Sequence, residues 1–476
     1  MPVASADLDQ SAVDALAPLI EAETIGVLVG AGASVAAGLP DWNELSERLL
    51  VQTGVVANES AAERFLARQD PQLAAEAARN AAEADGQEWT EVIRRALYRD
   101  GDRQPDPSPL HFTLASLAAA RDAKNKSTGL FTLNFDQLLE DAISADSTAP
   151  AVHARSSAAD RAGVGVREVN HLHGSLPFRG DAAGIVLTLS DFTSLSGVRH
   201  PWQVATLQDQ LSRGPLLLTG TSYRDPDIRQ WLRDLTAVDE GLRDRLTIVL
   251  SRAALDLSRE EFAGVQQAIV HQWEAIGFRV VVTDDYADGA QLLSEMAWRT
   301  LLPGEDYRPP NRRAADLWEA HASQFTTLQS VYAAQLGEDV RALQAQLHGA
   351  ILTLWLADGS GRFARWSGDD RLYREPDRLM RIRPGFDSRW ITGQALGADE
   401  TLVEPLAADA TRRWRSVVAS PIRVEVPGGP PFAAAAISSA TTVDLVDLPP
   451  EERDRWVAHV DALTEAWQER LVAALG

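Results

Sequence analysis

Polar side chains follow two short apolar runs of the sequence, at positions where they could take part in acid–base chemistry. Asn134 and Asp136 come at the end of the run 129–133, and His171 and His173 lie at the end of a second predicted strand, 167–172. A histidine at a strand end can accept a proton near neutral pH. The two histidines are two positions apart and share one face of a strand if it extends so far. The glycine after His173 favours that residue as the base; a structural histidine, or a helix-capping Asn134 or Asp136, is the alternative.

A glycine-rich turn follows the first apolar run of the chain. It reads Gly30-Ala-Gly-Ala-Ser34, and a second turn, Gly38-Leu-Pro-Asp-Trp42, comes soon after. Gly30 and Gly32 would let the backbone approach a pyrophosphate, to which amides and Ser34 can donate. The turn lacks the GxGxxG spacing and the acidic ribose reader of a dehydrogenase. A tight turn without a ligand is the alternative.

A fourth polar segment, Gly220-Thr-Ser222, follows a later apolar run and precedes Asp225-Pro226. Its hydroxyls and amides could bind a ribose. Asp225-Pro226 is typical of a helix start in either case.

These segments lie in a chain of alternating strand and helix patterns, which predicts a Rossmann-like, doubly wound, mostly parallel α/β sheet. Such sheets bind ligands at the carboxyl ends of their strands. The predicted strands are 25–29, 129–133, 167–172, 184–189, 215–219, 246–250 and 278–282. The predicted helices are 9–23, 43–52, four between about 55 and 120, 136–143, 202–211, 225–235, 259–276 and 288–301.

The last third of the chain has a different pattern. A Pro-, Gly- and Arg-rich stretch at 302–313 predicts a linker, followed by one long helix over 314–348. Beyond it we expect an α+β domain. Its predicted elements are strands 350–356, 363–366, 416–426 and 432–438, a short helix at 387–393 and a final helix at 451–475.

Composition excludes several classes of protein. The length of 476 residues predicts two or three domains. A net charge of -23 disfavours a broad nucleic-acid surface. The chain has no cysteine, which excludes disulfides, thiolate nucleophiles and cysteine-based zinc sites, and its nine histidines show no metal-binding spacing. No apolar run reaches the ~18 residues of a membrane helix, and the N-terminus lacks a basic signal region, so we expect a cytoplasmic protein.

Together the four segments resemble the sirtuin superfamily over about residues 20–300. The matching patterns are GAGxS, G-[IL]-P-D-aromatic, T-x-N-x-D, H-G and G-T-S. The forms Thr132-Leu-Asn-Phe-Asp136 and Ser222-Tyr-Arg-Asp-Pro226 look closer to the prokaryotic SIR2-like domains of anti-phage effectors than to protein deacylases. The resemblance implies a catalytic domain at 1–302 with a helical insert at about 55–120, a linker and connecting helix at 303–348, and a further domain at 349–476.

The resemblance also implies a role for each matching residue, with NAD as the substrate and no metal. The phosphate cradle would be Gly30, Ala31, Gly32 and Ser34, and the nicotinamide side would include Asp41 and Trp42. The catalytic set would be His173 as the base with Asn134 and Asp136, which hold the ribose and the nicotinamide amide. The remaining cofactor-binding candidates are Thr132, Gly220, Thr221, Ser222, Ser251 and Asp285.

Two departures from the family pattern bear on the reaction. Leu133 stands where deacylases usually have glutamine, and a chain without cysteine cannot build the four-cysteine zinc module of the deacylases. Water then becomes the expected nucleophile, and the expected activity is an NAD glycohydrolase that forms nicotinamide and ADP-ribose or its cyclic form. An NAD-dependent protein deacylase and a non-catalytic NAD or ADP-ribose sensor are the alternatives.

The segments Ile391-Thr-Gly-Gln-Ala-Leu-Gly397 and Arg413-Trp-Arg-Ser416, with the Gly-Pro turn near 428–430, resemble a GAF domain. An oligomerisation or scaffold module is the alternative. Arg413 and Arg415 could bind an anionic ligand or form surface salt bridges. We expect a small-molecule or protein activator at this domain and a homo-oligomer paired through the helix at 314–348.

Overall fold

The structure is a computed structural model, and it describes residues 4–99, 103–196, 198, 201–221, 226–303, 306–344, 349–369, 371–406 and 413–475. The chain divides into two compact units. The N-terminal unit comprises Leu16–Leu250 and Gly264–Val281, and the C-terminal unit comprises Met1–Ala15, Ser251–Ala263 and Val282–Gly476.

A seven-stranded sheet organises the N-terminal unit. Its strands are β1 (Thr24–Val29), β2 (Ser127–Thr132), β3 (Val152–Arg155), β4 (Arg167–His171), β5 (Leu216–Thr219), β6 (Leu246–Ser251) and β7 (Phe278–Thr283). The order is β3-β4-β2-β1-β5-β6-β7, and the described pairings are parallel. Apolar residues fill both faces of β1 and β5, as expected of strands covered by helices on each side. The predicted Rossmann-like sheet is confirmed.

Eighteen α-helices connect and follow the strands in the described part of the chain. The first nine are α1 (Gln10–Asp14), α2 (Ala17–Glu21), α3 (Gly32–Val35), α4 (Trp42–Gln52), α5 (Glu59–Leu66), α6 (Pro71–Ala84), α7 (Trp89–Tyr98), α8 (Pro109–Asp122) and α9 (Leu138–Ser144). The others are α10 (Leu189–Ser196), α11 (Trp202–Arg213), α12 (Pro226–Val238), α13 (Arg259–Glu274), α14 (Tyr286–Leu301), α15 (Pro310–Ser323), α16 (Phe325–Gln344), α17 (Ile391–Ala398) and α18 (Pro450–Ala473). Short 3₁₀ turns lie at Ser5–Asp7, Glu240–Arg245, Arg252–Leu255, Pro376–Arg378 and Leu445–Asp447.

The helical insert forms four helices, α5 to α8, as predicted. Local capping fixes their starts: Asp70 accepts the Gln72 amide before α6, and Ser108 and His111 form a reciprocal cap at α8. A cluster of alanines and leucines buries α4, α6 and α7 against Phe135 and Leu138. The insert therefore packs directly on the segment that follows β2.

The C-terminal unit is built on a six-stranded antiparallel sheet. Its strands are β8 (Ile351–Ala357), β9 (Phe363–Gly368), β10 (Arg381–Ile382), β11 (Leu402–Pro405), β12 (Ser416–Val424) and β13 (Phe432–Thr441). Their order is β10-β9-β8-β13-β12-β11. Helices α16 and α18 pack on the sheet around three fully buried tryptophans, Trp366, Trp456 and Trp467. The predicted α+β class is confirmed, while the likeness to a GAF domain stays a prediction.

The predicted and observed elements differ at several points. The helix predicted at 9–23 is divided into α1 and α2 by a turn at residues 15–16. The prediction of a strand at 184–189 is wrong. The amides of Leu187 and Thr188 instead donate to the Asp191 carboxylate, and α10 begins at Leu189. The helix over 314–348 is broken at Gln324 into α15 and α16. The short strands β3, β10 and β11 were not predicted, since edge strands of two to four residues carry little periodicity.

Candidate functional site

The carboxyl ends of β1 and β5 meet at the glycine-rich turn. The Gly30 amide donates to Thr219 O at 3.1 Å, and the Gly32 amide donates to Gly220 O at 2.7 Å. A Cβ atom on Gly30 would lie 2.8 Å from Gly220 O, and Gly220 itself has a φ of 61°. The glycines are thus required for the close approach of two backbones. Because these two amides already have protein acceptors, the Ala31 amide is the stronger candidate for a phosphate contact.

A buried hydrogen-bonded network joins the end of β1 to the end of β2. The Asn134 Nδ2 group donates to Gly30 O at 3.1 Å and to Ser34 Oγ at 2.7 Å. The Ser34 hydroxyl in turn donates to Asp136 Oδ2 at 2.7 Å. Since Gly30 O can only accept, the NH2 group of Asn134 must point to it. Both amide hydrogens are then in use, and Asn134 Oδ1 remains as an acceptor.

Asp136 is fixed at the first turn of α9. Its Oδ1 accepts the Leu138 amide at 3.1 Å. Burial raises the pKa of Asp136, and the hydrogen bonds from Ser34 and Leu138 oppose this rise. The donors on both carboxylate oxygens thus offset part of the rise in pKa that burial causes.

A second buried pair lies beside this network. The ring of His171, at the end of β4, is 3.0 Å from Asn134 O through Nδ1 and 2.6 Å from Glu140 Oε1 through Nε2. Glu140 lies on α9 and is 8% exposed. Sequence reasoning did not single out Glu140, because an acidic residue in a first helical turn is usually a solvent-exposed dipole partner.

His173 follows β4 and is 5% exposed. Its ring lies edge-to-face against Phe192 of α10 and Trp231 of α12, with centroid distances of 5.4 and 5.8 Å. Gly174 has a φ of 91°, and a Cβ there would lie 2.3 Å from Gly184 O. The glycine of the His-Gly pair is therefore required by the turn after His173, and two aromatic rings hold the imidazole.

The other predicted residues of the N-terminal unit occupy several positions. Asp41 is exposed and caps α4 by accepting the Glu44 amide, while Trp42 is half-buried beside the cluster that contains Phe135. The hydroxyl of Thr132 accepts the Asn134 amide at 3.0 Å. Thr221 is buried at the end of β5 beside Gly30, and Ser222 lies outside the described residues.

Ser251 and Asp285 belong to the C-terminal unit. The Ser251 hydroxyl donates to Asp284 O at 3.2 Å, and Asp285 Oδ1 accepts the Phe386 amide at 3.1 Å. Burial, followed by the charge of Asp284, raises the pKa of Asp285 to about 6. The structure thus gives these two residues partners inside the C-terminal unit.

The helical insert holds the loop that follows His173. The Tyr98 hydroxyl donates to Leu176 O at 2.7 Å, and Arg94 donates to Pro177 O and, at 2.7 Å, to Gly180 O. Tyr98 also packs edge-to-face on Phe178. Nothing in the sequence marks these contacts, because their partners lie about 80 positions apart.

The described residues contain neither a metal-binding cluster nor a membrane-spanning helix. No group of three or more His, Cys, Asp or Glu side chains there could hold a metal ion. No helix in those residues is both long and apolar enough to cross a bilayer.

Comparisons with known proteins give a family match in the middle of the chain. Residues 128–281 match the SIR2-like domain family, a range that includes Asn134, Asp136 and His173. A structure entitled "Structural Basis for the Mechanism and Regulation of Sir2 Enzymes" aligns with 61% of this chain and 98% of its own, at 13% identity and a TM-score of 0.33. No curated protein matches the chain.

Proposed function

We propose that the protein is an NAD glycohydrolase that cleaves NAD to nicotinamide and ADP-ribose. The observation that carries this proposal is the network of Ser34, Asn134 and Asp136 at the carboxyl ends of β1 and β2, inside or beside the SIR2-like segment. Parallel sheets bind their ligands at this edge. His173 follows the neighbouring strand β4 in the same segment.

The reaction needs little covalent chemistry from the protein. Nicotinamide leaves as a neutral molecule from a cationic ring nitrogen, and the ribose passes through an oxocarbenium-like state. The buried carboxylate of Asp136 stabilises that positive charge, since electrostatic interactions are strong where water is excluded. Asn134 Oδ1 accepts a hydrogen bond from a ribose hydroxyl or from the attacking water, because both hydrogens of its amide are already donated.

His173 acts as the base. It accepts the proton of the water, directly or through a ribose hydroxyl, and returns it to solvent after the bond to the ribose has formed. The edge-to-face contacts with Phe192 and Trp231 orient its ring for this step. No step requires an acyl-lysine, and the absence of cysteine from the sequence supports hydrolysis over deacylation.

We extend the proposal to the biological role. The protein would be an effector of bacterial anti-phage defence that acts in the cytoplasm, with a catalytic domain at 1–302 and a GAF-like domain at 349–476 that responds to an activator. A homo-oligomer would form through the helices of the linker region. An enzyme that always consumed NAD would harm its own cell, so control by a second domain is a physically reasonable design.

The direct test is nicotinamide release from NAD by the purified full-length protein, with and without extract of phage-infected cells. We expect release from the wild type and about 100-fold or more loss in His173→Ala and Asn134→Ala. His153→Gln is the matched control, because His153 forms a half-exposed pair with Asp160 at 2.7 Å on the outer strand β3. Tight NAD binding without turnover would favour the non-catalytic sensor, and acyl-ADP-ribose formed only with an acylated peptide would favour the deacylase.

A further inference from the structure

His171 is a strand-end histidine for which the proposed reaction has no use, and it is 0% exposed. Its Nδ1 is 3.0 Å from the main-chain oxygen of Asn134, and its Nε2 is 2.6 Å from the Glu140 carboxylate. A carbonyl oxygen can only accept, so Nδ1 must carry a hydrogen. The proton between Nε2 and Glu140 then decides whether the ring is an imidazolium beside a carboxylate or a neutral ring beside a carboxylic acid.

The groups that surround this pair favour the ionic form. Burial lowers the pKa of His171, but the charge and hydrogen bond of Glu140 and the bond to Asn134 O outweigh it, so the net pKa is raised. Asp136, on the turn before α9, acts in the same direction. His111 faces Glu140 from α8, and burial lowers the pKa of His111 to about 4, so it adds no competing charge at neutral pH.

Asn134 is held from several sides, and His171 supplies one of them. The side-chain amide of Asn134 donates to Gly30 O and Ser34 Oγ, and its main-chain N–H donates to Thr132 Oγ1. Its main-chain oxygen lies at His171 Nδ1. Loss of that last contact would free the peptide that carries the Asn134 side chain.

We propose that His171 is a positioning residue: as an imidazolium paired with Glu140, it holds the main-chain oxygen of Asn134 and so fixes the carboxamide used in NAD cleavage. The charge of His171 also helps to keep the neighbouring Asp136 ionised. The role of His171 in cleavage rests on the proposed function, whereas the charge of its ring and its hydrogen bond to Asn134 O do not.

The charge is tested without turnover. In full-length protein with ¹⁵N-labelled histidine, the ring signals assigned by their loss in His171→Gln should show two protonated nitrogens at pH 7. Glu140→Gln removes the counter-charge and should convert the same ring to the neutral form. A wild-type signal with one deprotonated nitrogen at pH 7 would overturn the ionic pair.

The positioning role is tested by separating kcat from KM. His171→Gln retains an N–H donor near Asn134 but no charge. We expect kcat to fall about 10- to 100-fold with KM for NAD changed less than about threefold. The double variant His171→Gln/Glu140→Gln should recover part of kcat, because it no longer buries an unpaired carboxylate. The control His153→Gln alters a half-exposed His–Asp pair and should leave both constants unchanged.

The outcomes separate the two proposals. A kcat for His171→Gln equal to that of the wild type, or a loss confined to KM, overturns the positioning role. If the wild type releases no nicotinamide, the proposed function fails, and the side-chain amide signals of Asn134 then decide about His171. A shift of those signals in both His171→Gln and Glu140→Gln supports the grip on Asn134, and unchanged signals in both overturn it.

Discussion

Removal of the Ser34 hydroxyl should destabilise the protein much more than an ordinary Ser→Ala substitution. The hydroxyl donates to Asp136 Oδ2 and accepts from Asn134 Nδ2, both at 2.7 Å, and Ser34 is 3% exposed. A hydrogen bond to a charged group contributes about 1.5–3 kcal/mol, and an orphaned amide hydrogen costs about 1 kcal/mol more. We therefore expect Ser34→Ala to lower the free energy of unfolding by about 3 kcal/mol at pH 7.

The same substitution should show a distinctive pH dependence. Burial raises the pKa of Asp136, and the Ser34 bond opposes that rise, so Ser34→Ala raises the pKa further. A folded chain that binds the proton more tightly than the unfolded chain loses stability as pH rises. The penalty of Ser34→Ala should therefore be larger at pH 8 than at pH 5.

Urea denaturation of the wild type and Ser34→Ala at both pH values measures this. Ser46→Ala is the matched control, because Ser46 is equally buried in the same unit but donates to a neutral carbonyl, Trp42 O, at 2.8 Å. It should cost about 1 kcal/mol, independent of pH. Equal penalties for the two variants, or a Ser34→Ala penalty that does not grow with pH, would refute the account of a charged, hydroxyl-bridged Asp136.

Three further substitutions test other contacts. Gly30→Ala should lower the free energy of unfolding by about 1–3 kcal/mol in thermal denaturation, because the new Cβ would meet the turn after β5. The control Gly264→Ala lies in α13, where a Cβ meets open space, and it should be neutral or slightly stabilising. Tyr98→Phe removes the hydrogen bond to the loop after His173. It should lower the free energy of unfolding by only about 1 kcal/mol, and it should also lower kcat for NAD. Arg313→Met leaves the fully buried Glu295 without its ion-pair partner and should lower the free energy of unfolding by about 3–5 kcal/mol in urea denaturation. The further substitution Glu295→Gln should restore most of that free energy.

The sequence predicts the sheet well because its strands are short apolar runs between amphipathic helices. It also places Asn134 and Asp136 at the carboxyl end of β2, because they directly follow an apolar run, but it leaves open whether they bind a ligand or cap α9. It does not predict that the amides of Gly30 and Gly32 donate to the end of β5 and to Gly220, nor that Glu140 pairs with His171. Those contacts join elements that are distant in sequence, and periodicity within one element carries no information about its neighbours.

The C-terminal unit contains an ion-pair cluster that the predicted boundary at 302 would cut. Arg252, which is 0% exposed, contacts Asp284 at 2.7 Å and Asp387 at 2.9 Å. Asp285 accepts the Phe386 amide. Residues that follow β6 and β7 thus share buried polar contacts with the segment before α17, all within one compact unit.

A chain that ends at Leu302 should therefore fold poorly. It would keep Arg252 and Asp284 but lose Asp387, so the buried guanidinium of Arg252 would lack one of its two carboxylates. The Asp285 carboxyl would also lose the Phe386 amide as a hydrogen-bond donor. Each broken contact of this kind costs about 1–3 kcal/mol, and the truncated chain also loses α17, against which α14 packs within the C-terminal unit. We expect the fragment 1–302 to be insoluble or to denature several °C below the full chain in differential scanning fluorimetry, at about 2–4 °C for each 1 kcal/mol in a unit of roughly 150–250 residues. The full-length variant Asp387→Asn should show a smaller loss of the same sign. A fragment as stable as the full chain would show that the contacts with Asp387 and Phe386 contribute nothing to stability, and that the boundary at 302 separates two independent domains.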